Sequence, residues 1–112
     1  MANYYTDQPE IAFHLEHPLM KRIVELKERN YADKDKYEEA PVNYEDAIEN
    51  YKRILDITGE VAANIIEPNS ESVDLEGPHL IDNRMHYASK TLENIQATRQ
   101  AGLWGVSMPR QY

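Results

Sequence analysis

Apolar positions recur at helical spacing along most of the chain, most regularly after Asn43. Ala47, Tyr51, Ile54, Leu55, Thr58, Val61, Ala62 and Ile65 stand three or four residues apart, so on a helix they form one stripe. Asn43 offers a side-chain oxygen for the N-cap, and Asp46 follows three residues later. The pattern predicts a helix over about residues 44–66, stopped there because Pro68 disfavours helical geometry at Glu67. Gly59 interrupts the stripe at a cost of about 1 kcal/mol relative to alanine. A close helix crossing is the expected reason for it.

Pro18 suits the first position of an earlier helix over residues 18–31, since its missing N–H has no intrahelical partner there. Leu19, Met20, Ile23, Val24, Leu26 and Tyr31 mark the side it buries. Further upstream, Asp7 and Glu10 resemble a capping box with Pro9 in the first turn, which predicts a short helix over residues 8–15. The mixed-charge run Asp33–Glu39, closed by Pro41, is expected to be an exposed connection. From Glu67 to Ser89 the helical period lapses. Asp82 and Asn83 tolerate positive φ and suit a reversal between His79-Leu80-Ile81 and Arg84-Met85-His86-Tyr87, as a small ribbon or an ordered loop. A last helix starts near Thr91, presents Leu92, Ile95 and Thr98 on one face, and stops at Gly102, suited to a left-handed cap, with Leu103 folding back. The fold class expected is all-α: a small helical bundle, one domain over residues 1–112, with a short extended or loop segment near residues 79–87. Its expected core is Leu19, Ile23, Ile54, Leu55, Val61, Ile65, Leu92 and Ile95.

Charge narrows the range of partners. Twenty acidic and twelve basic side chains in 112 residues give a formal charge of −8, which repels nucleic acid and anionic membrane surfaces. The balance is uneven: residues 41–82 carry ten acids and two bases, whereas residues 83–112 carry Glu93 against Arg84, Lys90, Arg99 and Arg110. An ordinary solvated surface is the simpler account; the functional one is a basic tail facing something anionic. With no cysteine there is no disulfide, thiolate metal site or thiol nucleophile. The start Met1-Ala2-Asn3-Tyr4-Tyr5-Thr6-Asp7 lacks a signal-peptide pattern, and no apolar run approaches the roughly 18 residues of a membrane span. A soluble, cytoplasmic protein is expected.

Candidate chemistry is sparse. Glu10, His14 and His17 have ligand-type side chains at spacings of three and four, and His79, Asp82 and His86 would converge across the proposed reversal. Both spacings are common, and neither supports a metal or catalytic assignment. Asp33-Lys34-Asp35 opens like a calcium loop, but Glu38 stands where the sharp turn needs glycine and Tyr44 where a bidentate glutamate belongs. No phosphate-cradling glycine loop and no nucleophile elbow is present. No catalytic, cofactor-binding or metal-binding residue is therefore expected in this chain. The apolar run Gly102-Leu103-Trp104-Gly105-Val106-Ser107-Met108-Pro109 is expected to be extended and to need a covering neighbour.

The string Ala101-Gly102-Leu103-Trp104-Gly105-Val106-Ser107-Met108-Pro109-Arg110-Gln111-Tyr112 resembles the acyl-CoA dehydrogenase pattern in which a helix ends at Gly-Leu, followed by Gly and then Pro-x-x-Tyr-Gly-Gly. Ile65-Ile66-Glu67-Pro68-Asn69, with Asp74 and Gly77, is similar to that family's helix end and following loop. The resemblance covers about residues 44–112 by motif and residues 18–31 more loosely. It implies the N-terminal helical domain of an FAD-dependent enzyme that desaturates acyl-CoA thioesters, cut off before the barrel and second helical bundle that hold flavin. A glutamate of the later portion supplies the base in that family, and none of this chain's glutamates maps onto it. The fragment is thus expected to be inert, while its parent uses FAD, an acyl-CoA substrate and an electron acceptor. The expected partners are the remaining domains of the parent and further copies in a homo-oligomer, with no nucleic acid and no membrane. Residues 3–39 are longer and more charged than the family's usual start. The alternative is a stand-alone helical module whose tyrosines and Trp104 bind a protein partner.

Overall fold

The computed structural model describes residues 2–112; Met1, the first residue of the stretch read for a targeting signal, lies outside the described residues. The chain is mostly helical, with one two-stranded antiparallel hairpin. Helix α1 covers Pro9–Leu15, α2 Met20–Lys27 and α3 Tyr44–Val61. Ala62–Ile66 form a π turn that leads without a break into α4, Glu67–Glu76. Strands β1, His79–Ile81, and β2, Arg84–His86, precede α5, Ser89–Gln100.

Helix α3 starts as its cap residues dictate. The Asn43 side chain accepts from the Asp46 backbone N–H at 2.8 Å, and the Asp46 carboxylate accepts from Val42 N–H at 3.1 Å. Its end is a correction. A stop near Ile66 was expected from Pro68, yet the helix runs on to Glu76. A proline inside an α-helix lacks a donor and crowds the carbonyl four residues back. The π turn relieves this by widening the ladder just ahead of Pro68, so that Glu67 N–H reaches Ala62 O, five residues back. Gly59 is a second correction, because the atoms nearest to it belong to Asn3 and Tyr5 and not to a crossing helix. The N-terminal turn makes the close approach: Tyr4 N–H donates to Gly59 O at 3.2 Å, and a Cβ at Gly59 would meet the Asn3 side chain and stand 2.5 Å from Tyr5 N.

The earlier helices are shorter than their patterns suggest. Pro18 lies in a turn ahead of α2 rather than at its first position, and the helix ends at Lys27, before a 3₁₀ turn over Arg29–Tyr31. α1 forms, but the Asp7–Glu10 capping box does not: the cap residue is Gln8 without a side-chain bond, and Asp7 accepts instead from Asn3 N–H at 2.9 Å. Near the other end, Asp82 and Asn83 have φ of 50° and 61°, the doubly left-handed turn suited to a two-residue hairpin, and His79 pairs with His86. Glu76 closes the hairpin's base by accepting from both Ser89 N–H, at 2.7 Å, and Ser89 Oγ–H, at 2.8 Å. Gly102, with φ of 76°, ends the segment after α5, as expected. The following run is not extended but turns through a 3₁₀ segment that packs back on α5, and Trp104 adds a hydrogen bond from Nε1 to Thr98 Oγ1 at 3.0 Å.

The expected core also needs correction. None of its eight residues is fully buried: Leu19, Ile23, Ile54 and Leu92 are exposed, and Leu55, Val61, Ile65 and Ile95 are half-buried. The buried apolar positions are Leu15, Val24, Ala40, Ala47, Ala63 and Ala88. α3 does pack against α2 and α5, as the stripes required. The elements lie in a body 51 × 32 × 20 Å across, however, and small side chains fill the closest approaches while the large ones project from them.

Candidate functional site

The polar centre of the molecule grows from the C-terminal end of α2. Glu28 follows Val24 by four residues, so it continues the buried face of α2 rather than the solvent face. It is 3 % exposed. A carboxylate at that depth requires partners for its oxygens, and three elements supply them. Tyr51 of α3 donates its hydroxyl hydrogen to Glu28 Oε1, and Arg110 Nη2 donates to Glu28 Oε2 at 2.8 Å. The Lys27 ammonium lies 4.0 Å from Oε1 and 5.6 Å from the centre of the Tyr51 ring.

Asp33 extends the network. It accepts from Arg29 Nη2 at 2.6 Å and from Arg110 Nη1 at 3.3 Å, so Arg110 bridges two carboxylates. Asp33 had been expected in an exposed connection, but it is buried, because the turn after α2 brings it under the Arg110 guanidinium. Its carboxyl is held below the usual range, first by the Arg29 hydrogen bond, against the opposing effect of burial, and then by Arg29 and Arg110 charge. Burial works against the Arg110 charge, yet hydrogen bonds and charge from Glu28, then Asp33, outweigh it and raise its pKa. Burial, then the hydrogen bond and charge of Glu28, pushes the Tyr51 phenol well above its ordinary value. Every carboxylate oxygen here has a donor, so the arrangement holds elements together and presents no free base.

Beside this cluster lies a groove of about 1020 Å³ between the Lys27–Glu39 region and the Gly102–Tyr112 segment. Arg29 and Arg110, both at its wall, are paired with Asp33 and Glu28, so Arg110, of the four bases in the basic tail, faces acids of its own chain here.

The other singled-out residues do not assemble into sites. His17 Nδ1 accepts from Leu19 N–H at 3.1 Å, and the His14 ring meets the Phe13 edge at 5.5 Å, while Glu10 is exposed. His79 pairs with Glu76 at 3.3 Å, and Asp82 occupies the hairpin turn. Among the described residues no group of three such side chains is placed to hold a metal ion. Nor is any described helix long and apolar enough to cross a membrane. Glu28, Asp33 and Arg110 were not singled out from sequence as a cluster. The available signals were Glu28 in register with Val24 and Tyr31 on an otherwise apolar helix face, and the place of Arg110, 82 positions away, in the basic tail.

No family model, no curated protein and no solved structure matches this chain.

Proposed function

We propose that this chain serves as the N-terminal helical domain of an FAD-dependent acyl-CoA dehydrogenase, forming a wall of the enzyme without supplying its base or its flavin site. The observation that carries the proposal is the uncovered apolar side of its helices. Leu19 at the N-cap of α2 and Ile23 and Leu26 on it, spaced four and three apart, are all more than half exposed, as are Leu92 of α5 and Trp104. A stripe at such spacing has the geometry of a packing face, and soluble chains seldom leave large ones open. Further domains of one enzyme are a covering that matches the motifs at residues 65–77 and 101–112.

The residues present do not fit a flavin. The groove's two arginines are each already paired with carboxylates of the chain, Arg29 with Asp33 and Arg110 with Glu28 and Asp33, and no glycine loop offers a row of amide donors for a diphosphate. Flavin therefore belongs to other segments of the parent enzyme, and no step of the desaturation is assigned to this chain. The test is to titrate FAD into the 112-residue chain and into the product of its complete reading frame, then assay acyl-CoA oxidation with an artificial electron acceptor. Bound flavin and turnover are expected only for the complete product. Stoichiometric FAD on the short chain would overturn its assignment as a flavin-free wall, and a flavin-free complete product would overturn the family.

A further inference from the structure

Three unfavourable features meet in one place. Arg29, Asn30 and Tyr31 have φ of 50°, 55° and 61°, three successive left-handed residues without a glycine. Among the described residues the buried Tyr31 hydroxyl has no hydrogen-bond partner, a state that costs free energy unless something else maintains it. Directly alongside is the open groove of about 1020 Å³, so the Gly102–Tyr112 segment spans this region without filling it. What spans the gap is Arg110, donating to Glu28 on one side of the strained turn and to Asp33 on the other.

We propose that Gly102–Tyr112 is a strap latched by Arg110 onto the turn Arg29–Tyr31, and that releasing this latch widens the groove and lets the turn relax. The inference is independent of the acyl-CoA dehydrogenase reading. The forked guanidinium fixes Glu28 and Asp33 relative to each other, and the residues between them have little choice but the left-handed path. Without the latch, the turn regains ordinary backbone geometry and the Tyr31 hydroxyl gains access to water. Strap and turn therefore open as one unit. Arg110 keeps 28 % of its side chain exposed, so dissolved ions reach the latch and salt weakens it.

Single-residue amide exchange followed by NMR tests this on the 112-residue chain. In Arg110→Gln, exchange across residues 29–31 and 103–112 is expected to accelerate together by about tenfold or more, with the middle of α3 unchanged. Arg110→Lys should fall between, because an ammonium cannot reproduce the two-legged fork. High salt should move the wild-type chain in the same direction. Acceleration confined to the tail, or none in either segment, overturns the proposal. Should Arg110→Gln fail to fold, Arg110→Lys decides: it leaves the Arg29–Asp33 pair in place, and a smaller but still coupled acceleration is expected. An unchanged turn alongside a loosened strap in that variant refutes the coupling.

Discussion

Glu28 shows how one residue's position changes what its chemistry must do. One turn after Val24 it is carried inward with the helix, and a buried carboxylate left unpaired is strongly destabilising. Tyr51→Phe keeps the ring under Lys27 but removes a donor to that carboxylate. It is expected to lower unfolding stability by about 1.5–3 kcal/mol, the range for hydrogen bonds to charged groups; an unchanged denaturant midpoint would show that Glu28 does not depend on Tyr51. The pH dependence follows from the same groups. Asp33, Glu76 and Glu93 have lowered carboxyl pKa values in the folded chain, so they contribute stability above the ordinary carboxylate range that is lost as pH falls through it, below about 4. Tyr51, with a raised pKa, contributes stability below about 10 that is lost as pH rises beyond that value. Chemical denaturation across pH should therefore show a plateau with both limbs falling. Asp33→Asn should flatten part of the acid limb and Tyr51→Phe part of the alkaline one.

At the scale of elements, α3 carries both what sequence predicts well and what it predicts poorly. Its start was legible because Asn43, Asp46 and the stripe are local features, and the reversal at Asp82-Asn83 and the stop at Gly102 were legible because positive φ selects few residue types. Its continuation past Pro68 was not, since the relief lies in a π turn whose residues, Ala62–Ile66, read like any apolar helix. Asn69, just beyond, is buried and donates to Asn94 Oδ1 at 2.8 Å, a long-range tie that the periodicity of α4 does not reveal. The candidate site was less legible still, as Arg110 meets Glu28 only through the path of the whole chain. Gly59 makes the distinction testable. Gly59→Ala would raise helix propensity by about 1 kcal/mol. The new Cβ would nevertheless collide with the Asn3 side chain and the Tyr5 backbone. The expected result is unchanged helical circular dichroism with faster amide exchange over residues 3–7. A fully protected N-terminal turn would mean that this contact yields without cost.

At the scale of the whole molecule, the apolar stripes exceed what the chain covers by itself. Its radius of gyration is 17.7 Å, against about 13 Å for a compact chain of this length. The excess comes with large side chains at the surface: Leu19 is 67 % exposed and Ile23 55 % exposed, although their spacing is that of a buried helix face. Burying such side chains stabilises by roughly 1.5–3 kcal/mol each. In the isolated chain that free energy is available to a second copy, so self-association that grows with concentration is expected in light scattering. The net charge of −8 opposes close approach and should make the association stronger as salt screens it. Ile23→Glu separates this face from the interior. Because the side chain already faces solvent, the substitution should leave the melting temperature of the dilute chain nearly unchanged while reducing association. A monomer at every concentration would show that the stripe drives no contact in the isolated chain. A large fall in melting temperature for Ile23→Glu would instead show that this face is buried within the chain's own fold.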